Sequence, residues 1–401
     1  MPRYTYQARD ENGKLTRGSL RAANEERAGS LLRAHKLSPI AIVAAEDAPF
    51  WQREFGIFSI STKDLILFTR QMASMIRAGV PIIETIRAIE DQVQKRAFKK
   101  ILEEMAYDIE AGDSLSNAMS KHSKAFNPFI LGIVRTGEAS GRLSESLNSI
   151  SDYLEQDYAF VRKVRAALAY PVFVLVVVVI LTIVMFTFVL PQLVGLFADS
   201  GVQLPWPTRV LIGVTTFVQS YWILLLVVAA AAFVLARSYF RTPEGRYTLS
   251  TWALRAPVLS TLFQKMYLAR LTSILHTLFS SDVPALDSLA LAREAVGNKV
   301  YQRILSDTIK SIKDGSSISY VWRHEPYIPS MLTAMVAVGE RSGEIQTAFS
   351  EASRFFKRDV DTILESITVL LEPLLIVILG IGVGIVVGAV LLPIYNLVLV
   401  I

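Results

Sequence analysis

The sequence predicts a mainly α integral membrane protein, with three transmembrane helices, two homologous cytoplasmic six-helix bundles and a small N-terminal α+β module. Three observations predict it. A long unit of the chain occurs twice, three runs are free of charged side chains, and apolar residues between them recur at helical spacing.

The repeat shows first in a short motif. GEASGRL, Gly137 to Leu143, returns as GERSGEI, Gly339 to Ile345, 202 positions on. Other landmarks follow at 202 or 203: Tyr170-Pro171 with Glu372-Pro373, Pro191 with Pro393, Val80-Pro81 with Val283-Pro284, and Gly112 with Gly315. A period near 200 is far too long for a solenoid and marks a doubled domain.

The chain is 52% hydrophobic and 19% charged, with a mean hydropathy of +0.40. The apolar excess is concentrated. Pro171–Leu190, Val210–Ala236 and Pro373–Leu392 hold no charged residue, and each reaches the roughly 20 helical residues a bilayer core requires. The Val-rich first run would suit a strand in water, but in lipid an isolated segment satisfies its backbone only as a helix.

The elements are taken in chain order. Residues 1–46 form the α+β module: Tyr4, Tyr6 and Ala8 alternate, Glu11-Asn12-Gly13 supplies a turn, Asn24 with Glu25 and Glu26 starts a short helix, and Ile40 to Val43 reads as a strand. The polar start MPRYTYQARDENGK has no apolar core, so no cleavable signal is expected. Residues 47–61 are a linker whose Trp51, Phe55 and Phe58 serve either packing or an interaction surface.

Residues 62–169 form the first bundle, broken at Gly79-Val80-Pro81, Gly112-Asp113-Ser114 and Asn127-Pro128. One helical face carries Phe98, Ile101, Leu102, Met105 and Ile109, matched in the second copy by Tyr301, Ile304, Leu305 and Ile312. Gly112 suits a helix end and Ser114 the cap of the next helix.

The first transmembrane helix is residues 170–192, followed by a periplasmic loop, 193–209, and the second span, 210–236. The second bundle occupies 237–371, the third span 372–393 and a periplasmic tail 394–401. Arg162, Lys163 and Arg165, then Arg237, Arg241 and Arg246, then Arg354, Lys357 and Arg358 flank the spans on one side; near the lipid on the other side stand only Asp199 and Arg209. The positive-inside rule puts both bundles and the N-terminus in the cytoplasm and the C-terminus outside. The middle span returns the chain so that both copies face one compartment.

The opening motif lies between a helix from Pro128 and a long helix expected to start near Gly141 and run to the membrane. Gly141 permits a sharp bend, Ser140 is placed to cap the long helix, and Leu143 to anchor it. One reading makes Gly137, Glu138, Ser140 and Gly141, with Gly339, Glu340, Ser342 and Gly343, interhelical turns. The other gives Glu138 and Glu340 to a partner or to a clasp inside the bundle. The two readings are compatible.

Gly380, Gly384 and Gly388 fall every fourth residue on one face of the third span, where another helix can come close. Replacing Gly384 with Leu is expected to reduce oligomer size in detergent; an unchanged size would contradict a packing role. A dinucleotide fingerprint is not expected there, because the strand, the polar helix start and the downstream acid are missing.

Chemistry is not expected elsewhere. There is no GxxxxGK[ST] loop, the four histidines His35, His122, His276 and His324 have no HExxH spacing, and the chain has no Cys, so neither a cofactor nor a metal is predicted. Net charge is +5 with a pI near 9.2; much of the excess flanks the spans, where anionic lipid rather than nucleic acid is the expected counterpart.

The two GExSG motifs, each feeding a helix that enters a Pro-led span (YP, EP), together with FTRQMASMIRAGVP at Phe68–Pro81, resemble the type II secretion system F family. That family comprises inner-membrane platform proteins of type II secretion and type IV pilus machines. The loop QLPWPTRVLIG and the following RTPEGR look most like the mannose-sensitive haemagglutinin pilus branch. The resemblance implies a non-enzymatic homo-oligomeric scaffold in the bacterial inner membrane. Its partners would be a hexameric cytoplasmic assembly ATPase, pilin or pseudopilin subunits and other inner-membrane assembly components. The linker aromatics would then face the ATPase, the membrane or the protein's own core. One departure is SSDVP, Ser280–Pro284, where the first copy has RAGVP; losing that Gly argues against equal partner contacts by both copies.

Two other classes read less well. A secondary transporter would embed its repeats in the membrane and carry ionisable groups at mid-span; here the duplicated part is mostly aqueous and the spans uncharged. An intramembrane enzyme would need a base or metal beside Thr182, Thr187, Thr215 or Thr216, and these runs offer none.

Overall fold

The computed structural model describes residues 3–9, 15–21, 29–30, 38–44, 60–184, 206–256 and 260–400. The Glu11 turn, the helix start at Asn24, the linker aromatics, most of the 193–209 loop and Pro257 lie outside them. The chain divides into two compact units, Met1–Ile60 with Gln94–Phe98, and Ser61–Val93 with Lys99–Ile401.

In the first unit, β1 (Arg3–Arg9), β2 (Leu15–Arg21) and β3 (Ser38–Ala44) form an antiparallel sheet in the order β2-β1-β3. Tyr6 sits opposite Gly18 on one side and Ile42 on the other, and the β1–β3 register shifts between Gln7 and Ala8.

The second unit is helical among its described residues. The first copy supplies α1 (Thr62–Arg77), α2 (Ile82–Gln92), α3 (Arg96–Glu110), α4 (Leu115–Ser120), α5 (Pro128–Ala139) and α6 (Leu143–Val184). The sequence sets these boundaries. Ser61 and Asp64 make a capping box at the start of α1. Ser114 caps α4 and Asn127 caps α5, which has Pro128 in its first turn.

After α7 (Trp206–Tyr239) and an additional helix, α8 (Pro243–Ala253), the plan repeats: α9 (Ser260–Ser280), α10 (Ala285–Ala295), α11 (Lys299–Lys313), α12 (Ile318–Trp322), α13 (Ser330–Ser342) and α14 (Ile345–Val400). The α1–α6 and α5–α6 packings of the first copy return as α9–α14 and α13–α14 in the second.

Each bundle closes on its own core. Phe68, Met72, Ile86, Leu102, Met105, Phe126 and Ile133 are almost fully buried in the first, with the Phe68 and Phe126 rings 5.8 Å apart. The second is built around Trp322, Tyr301 and Phe349. Trp322 Nε1 donates to Thr308 Oγ1 at 3.0 Å, and the Tyr301 hydroxyl, pushed up in pKa by burial, donates to the Tyr327 carbonyl at 3.2 Å. Each such side chain contributes about 1.5–3 kcal/mol by leaving water.

Helix α6 leaves the first bundle and runs unbroken through Pro171 into the first apolar run. Leu143–Leu181 is long and apolar enough to cross a membrane, with a mean hydropathy of 2.6 in its most apolar window and 6% of that window buried. The other two runs lie on α7 and α14, where Ile223, Leu224, Phe233, Ile376, Ile381 and Val383 are exposed.

Helices α6 and α14 run side by side. Val164 meets Val360, Leu262 and Leu364 in one buried cluster, Lys163 Nζ lies 2.7 Å from Asp361 Oδ2, and Lys357 Nζ donates to Gln156 Oε1 at 3.0 Å. These partners stand close to the repeat offset in the sequence, so the two helices are parallel and level to within about one helical turn.

Candidate functional site

The repeated motif begins inside a helix rather than between helices. Gly137, Glu138 and Ala139 form the last turn of α5, and the long helix starts at Leu143, two residues beyond Gly141. Gly141 takes the left-handed conformation at φ +70°. Its N–H donates to the Glu138 carbonyl at 3.3 Å and that of Arg142 to the Gly137 carbonyl at 2.8 Å, the paired bonds of a Schellman helix end. Ser140 is therefore the C-cap of α5, with its Oγ toward the Gly137 carbonyl at 3.4 Å. It does not cap the long helix, because the left-handed glycine assigns it to the helix before the turn. Leu143 is buried.

Gly137 is where α5 and α6 touch. A Cβ built there would lie 2.2 Å from Ser146 Oγ and 2.5 Å from Ser146 Cβ. At Gly339 it would lie 2.8 Å from Ala348 Cβ and 3.0 Å from Ile345 Cα.

The carboxylates reach back to the fourth helix of their own bundles. Glu138 Oε1 accepts from the Leu115 N–H at 2.7 Å and Oε2 from that of Ser116 at 3.1 Å. Glu340 Oε1 accepts from the Ile318 N–H at 2.6 Å, and Oε2 from the Ser319 N–H at 3.2 Å and the Ser319 hydroxyl at 2.5 Å. Each carboxylate satisfies orphan donors at a helix start and faces its positive end. Sequence reasoning named Ser114 as a cap but missed Ser116 and Ser319 as partners of the carboxylates, although Ser114-Leu-Ser116 and Ser317-Ile-Ser319 recur at the repeat offset.

Ser342 and Gly343 repeat the turn in the second copy, with Gly343 at φ +78° and Ser342 Oγ toward the Gly339 carbonyl at 3.4 Å. On α14, Gly380 and Gly384 are exposed and an added Cβ would meet nothing within 4 Å; Gly388 lies on the same helix. Among the described residues no cluster of three or more His, Asp or Glu is arranged to hold a metal.

A seam joins the bundles. Leu291 of α10 seats over Gly132 of α5, where a Cβ would come within 2.3 Å of Leu291 Cδ1. Beside it Arg142 Nη1 lies 2.5 Å from Asp282 Oδ2. Asp282 stands where the first copy has Gly79 and adopts its left-handed backbone, at φ +56°. The Tyr153 hydroxyl faces Arg270 in the same seam, its pKa raised chiefly by burial and further by Asp157. Burial also lowers Lys357, offset in part by Asp157.

Asp282→Gly is expected to change stability by no more than about 1 kcal/mol, since relief of the backbone offsets an exposed ion pair and added chain entropy. Asp282→Val keeps the left-handed demand with a branched side chain, and thermal melting in detergent should fall clearly below that of Asp282→Gly.

His276 on α9 is half-buried, its Nδ1 3.1 Å from the Gln346 carbonyl. Burial lowers its pKa from 6.5, and the charges of Arg354 and Lys357 act the same way. The neutral ring is preferred in the fold, so its contribution is full above the ordinary value and lost as pH falls toward the lowered one. Melting curves should show His276→Gln with a shallower acid loss than the native chain.

Two family profiles match the chain. The one described as "Type II secretion system (T2SS), protein F" covers residues 68–191 and 271–393, and that for the N-terminal domain of protein F covers 1–43. The chain belongs to the type II secretion system protein F family. The two matched segments of the larger profile are the two copies of the repeat. Among curated relatives, the chain is 34% identical to the type IV pilus assembly protein PilC of Thermus thermophilus, over 99% of this chain and 98% of that protein. It is 31% identical to TapC, a type IV pilus assembly protein of Aeromonas hydrophila, over 85% and 84%, and 30% identical to the type II secretion system protein F of Pseudomonas aeruginosa, over 99% of both. Membership carries the family's role, that of a platform in pilus or secretion machinery.

Proposed function

We propose that this chain is a bacterial inner-membrane platform that couples a cytoplasmic assembly ATPase to the polymerisation of pilin or pseudopilin subunits. Three spans, on α6, α7 and α14, hold both bundles under one face of the bilayer with the N-terminus inside and the C-terminus in the periplasm. The N-terminal sheet belongs to an α+β module on the cytoplasmic side. The mannose-sensitive haemagglutinin branch rests on its loop residues alone.

The observation that carries the reading is the parallel, level packing of α6 on α14. Two helices leaving one side of a joined pair of bundles in the same direction need a return crossing between them, and α7 is the apolar helix available. The GExSG motifs serve in this reading as latches that fix each outgoing helix to its bundle, and the hydrogen bonds of Glu138 and Glu340 support the clasp alternative.

The test is co-purification of the full-length chain with the assembly ATPase of its own machine, alongside a deletion strain. Retention of the ATPase and loss of filaments or secretion are expected. Failure to retain it, with normal piliation or secretion in the deletion strain, would overturn the proposal.

A further inference from the structure

The seam between the bundles is not two-fold. The first bundle uses α5, which receives α10 of the second; among the described residues α2 and α13 make no comparable packing. One face of each bundle is thereby left over: the α13 face of the second copy and the α2 face of the first.

The vacant α13 face corresponds to one that is occupied. Ala334 is the repeat equivalent of Gly132, over which Leu291 is seated. Around Ala334 there is instead an open hollow of about 220 Å³, lined by Arg323, Ile328, Ser330, Thr333, Ala334 and Ala337. Along it Ser330, Ala334, Val338 and Arg341 form an exposed stripe, with Val338 59% exposed.

The leftover α2 face fits it. Ala88 is the equivalent of Leu291, so an alanine would meet Ala334 where a leucine meets a glycine. Beside Ala88 stand the exposed acids Glu84 and Asp91, opposite in charge to Arg323 and Arg341; Arg87 is held by Glu110 within its own bundle.

We propose that copies of this chain associate head to tail, α2 of the first bundle of one copy seated on the α13 stripe of the second bundle of the next. The contact repeats between chains the α5–α10 seat made within each. A head-to-tail contact closes into a ring or grows into a filament according to the operation that generates it. Level, parallel α6 and α14 leave little translation along the helices, so repetition gives a ring with every apolar helix leaving the same face. The inference rests on the platform reading only for its membrane setting.

The native chain has no Cys, so single thiols can be placed at will. Ala88→Cys and Ala334→Cys chains, differently tagged and co-expressed at full length, are treated in membranes with a short bis-maleimide. Arg142→Cys/Asp282→Cys in one chain is the positive control, expected to take up one linker and lose both free thiols. The expected result is a mixed Ala88→Cys/Ala334→Cys product at twice the 44.5 kDa chain mass, absent when either variant is expressed alone. Products of either variant with itself would show a two-fold contact and overturn the proposal. So would a closed control with no mixed product, which leaves the hollow to another protein. If that chain still retains the ATPase, only this interface is lost and the platform reading stands.

Discussion

Gly137→Val is expected to destabilise the full-length chain by about 3 kcal/mol, the upper end of what overpacking a core removes. The new Cβ would fall 2.2 Å from Ser146 Oγ and 2.5 Å from its Cβ, and Ser146 is buried on α6. The obstruction lies against the body of a helix rather than the end of a flexible chain, so α5 and α6 must separate. Gly137→Ala should show the same direction with a smaller loss, and adding Ser146→Gly should recover part of it. Gly339→Ala should be milder, since its closest contacts are 2.8 and 3.0 Å. Thermal unfolding of the detergent-purified series checks the order. Equal stability of Gly137→Val and the native chain would refute the close approach.

Glu340→Ala should cost about 2–3 kcal/mol, the range for losing hydrogen bonds to a charged acceptor and leaving their donors unpaired. Three donors converge on that carboxylate, the Ile318 and Ser319 amides and the Ser319 hydroxyl. Glu340→Gln retains one acceptor oxygen and should lose roughly half as much. Glu138→Ala should cost less than Glu340→Ala, because its carboxylate accepts from the two amides of Leu115 and Ser116 and lacks the hydroxyl donor that Glu340 has in Ser319. Hydrogen exchange at the amides of 115–116 and 318–319 would localise the effect; protection unchanged in both variants would contradict the latch.

Much of this was legible in the residues. The duplication, the uncharged runs and the helix breaks are written in Pro, Gly and Ser at fixed offsets, and these act within a few residues of themselves. The cap at Ser140 was misassigned because its helix is decided one residue later, by the left-handed Gly141. The partners of Glu138 lie 22 and 23 residues upstream, beyond any local spacing rule. The pairing of α6 with α14 was hidden for a different reason: Lys163 and Lys357 stand in the sequence as basic residues flanking the spans, yet Lys163 pairs with Asp361 and Lys357 with Gln156. Asp282 looked like a lost glycine, whereas its backbone keeps the glycine conformation and its carboxylate pairs with Arg142.

The continuity of α14 has a mechanical meaning. Its 56 residues make a single rod about 84 Å long at 1.5 Å per residue, latched at one end to the second bundle and apolar along the rest. A tilt of the bundle by about 5° carried along the continuous helix would swing the far tip by about 7 Å on a rod of that length. In the three-span arrangement proposed above, force applied at the base would emerge as lateral displacement at the opposite surface, as through a lever whose fulcrum is the lipid.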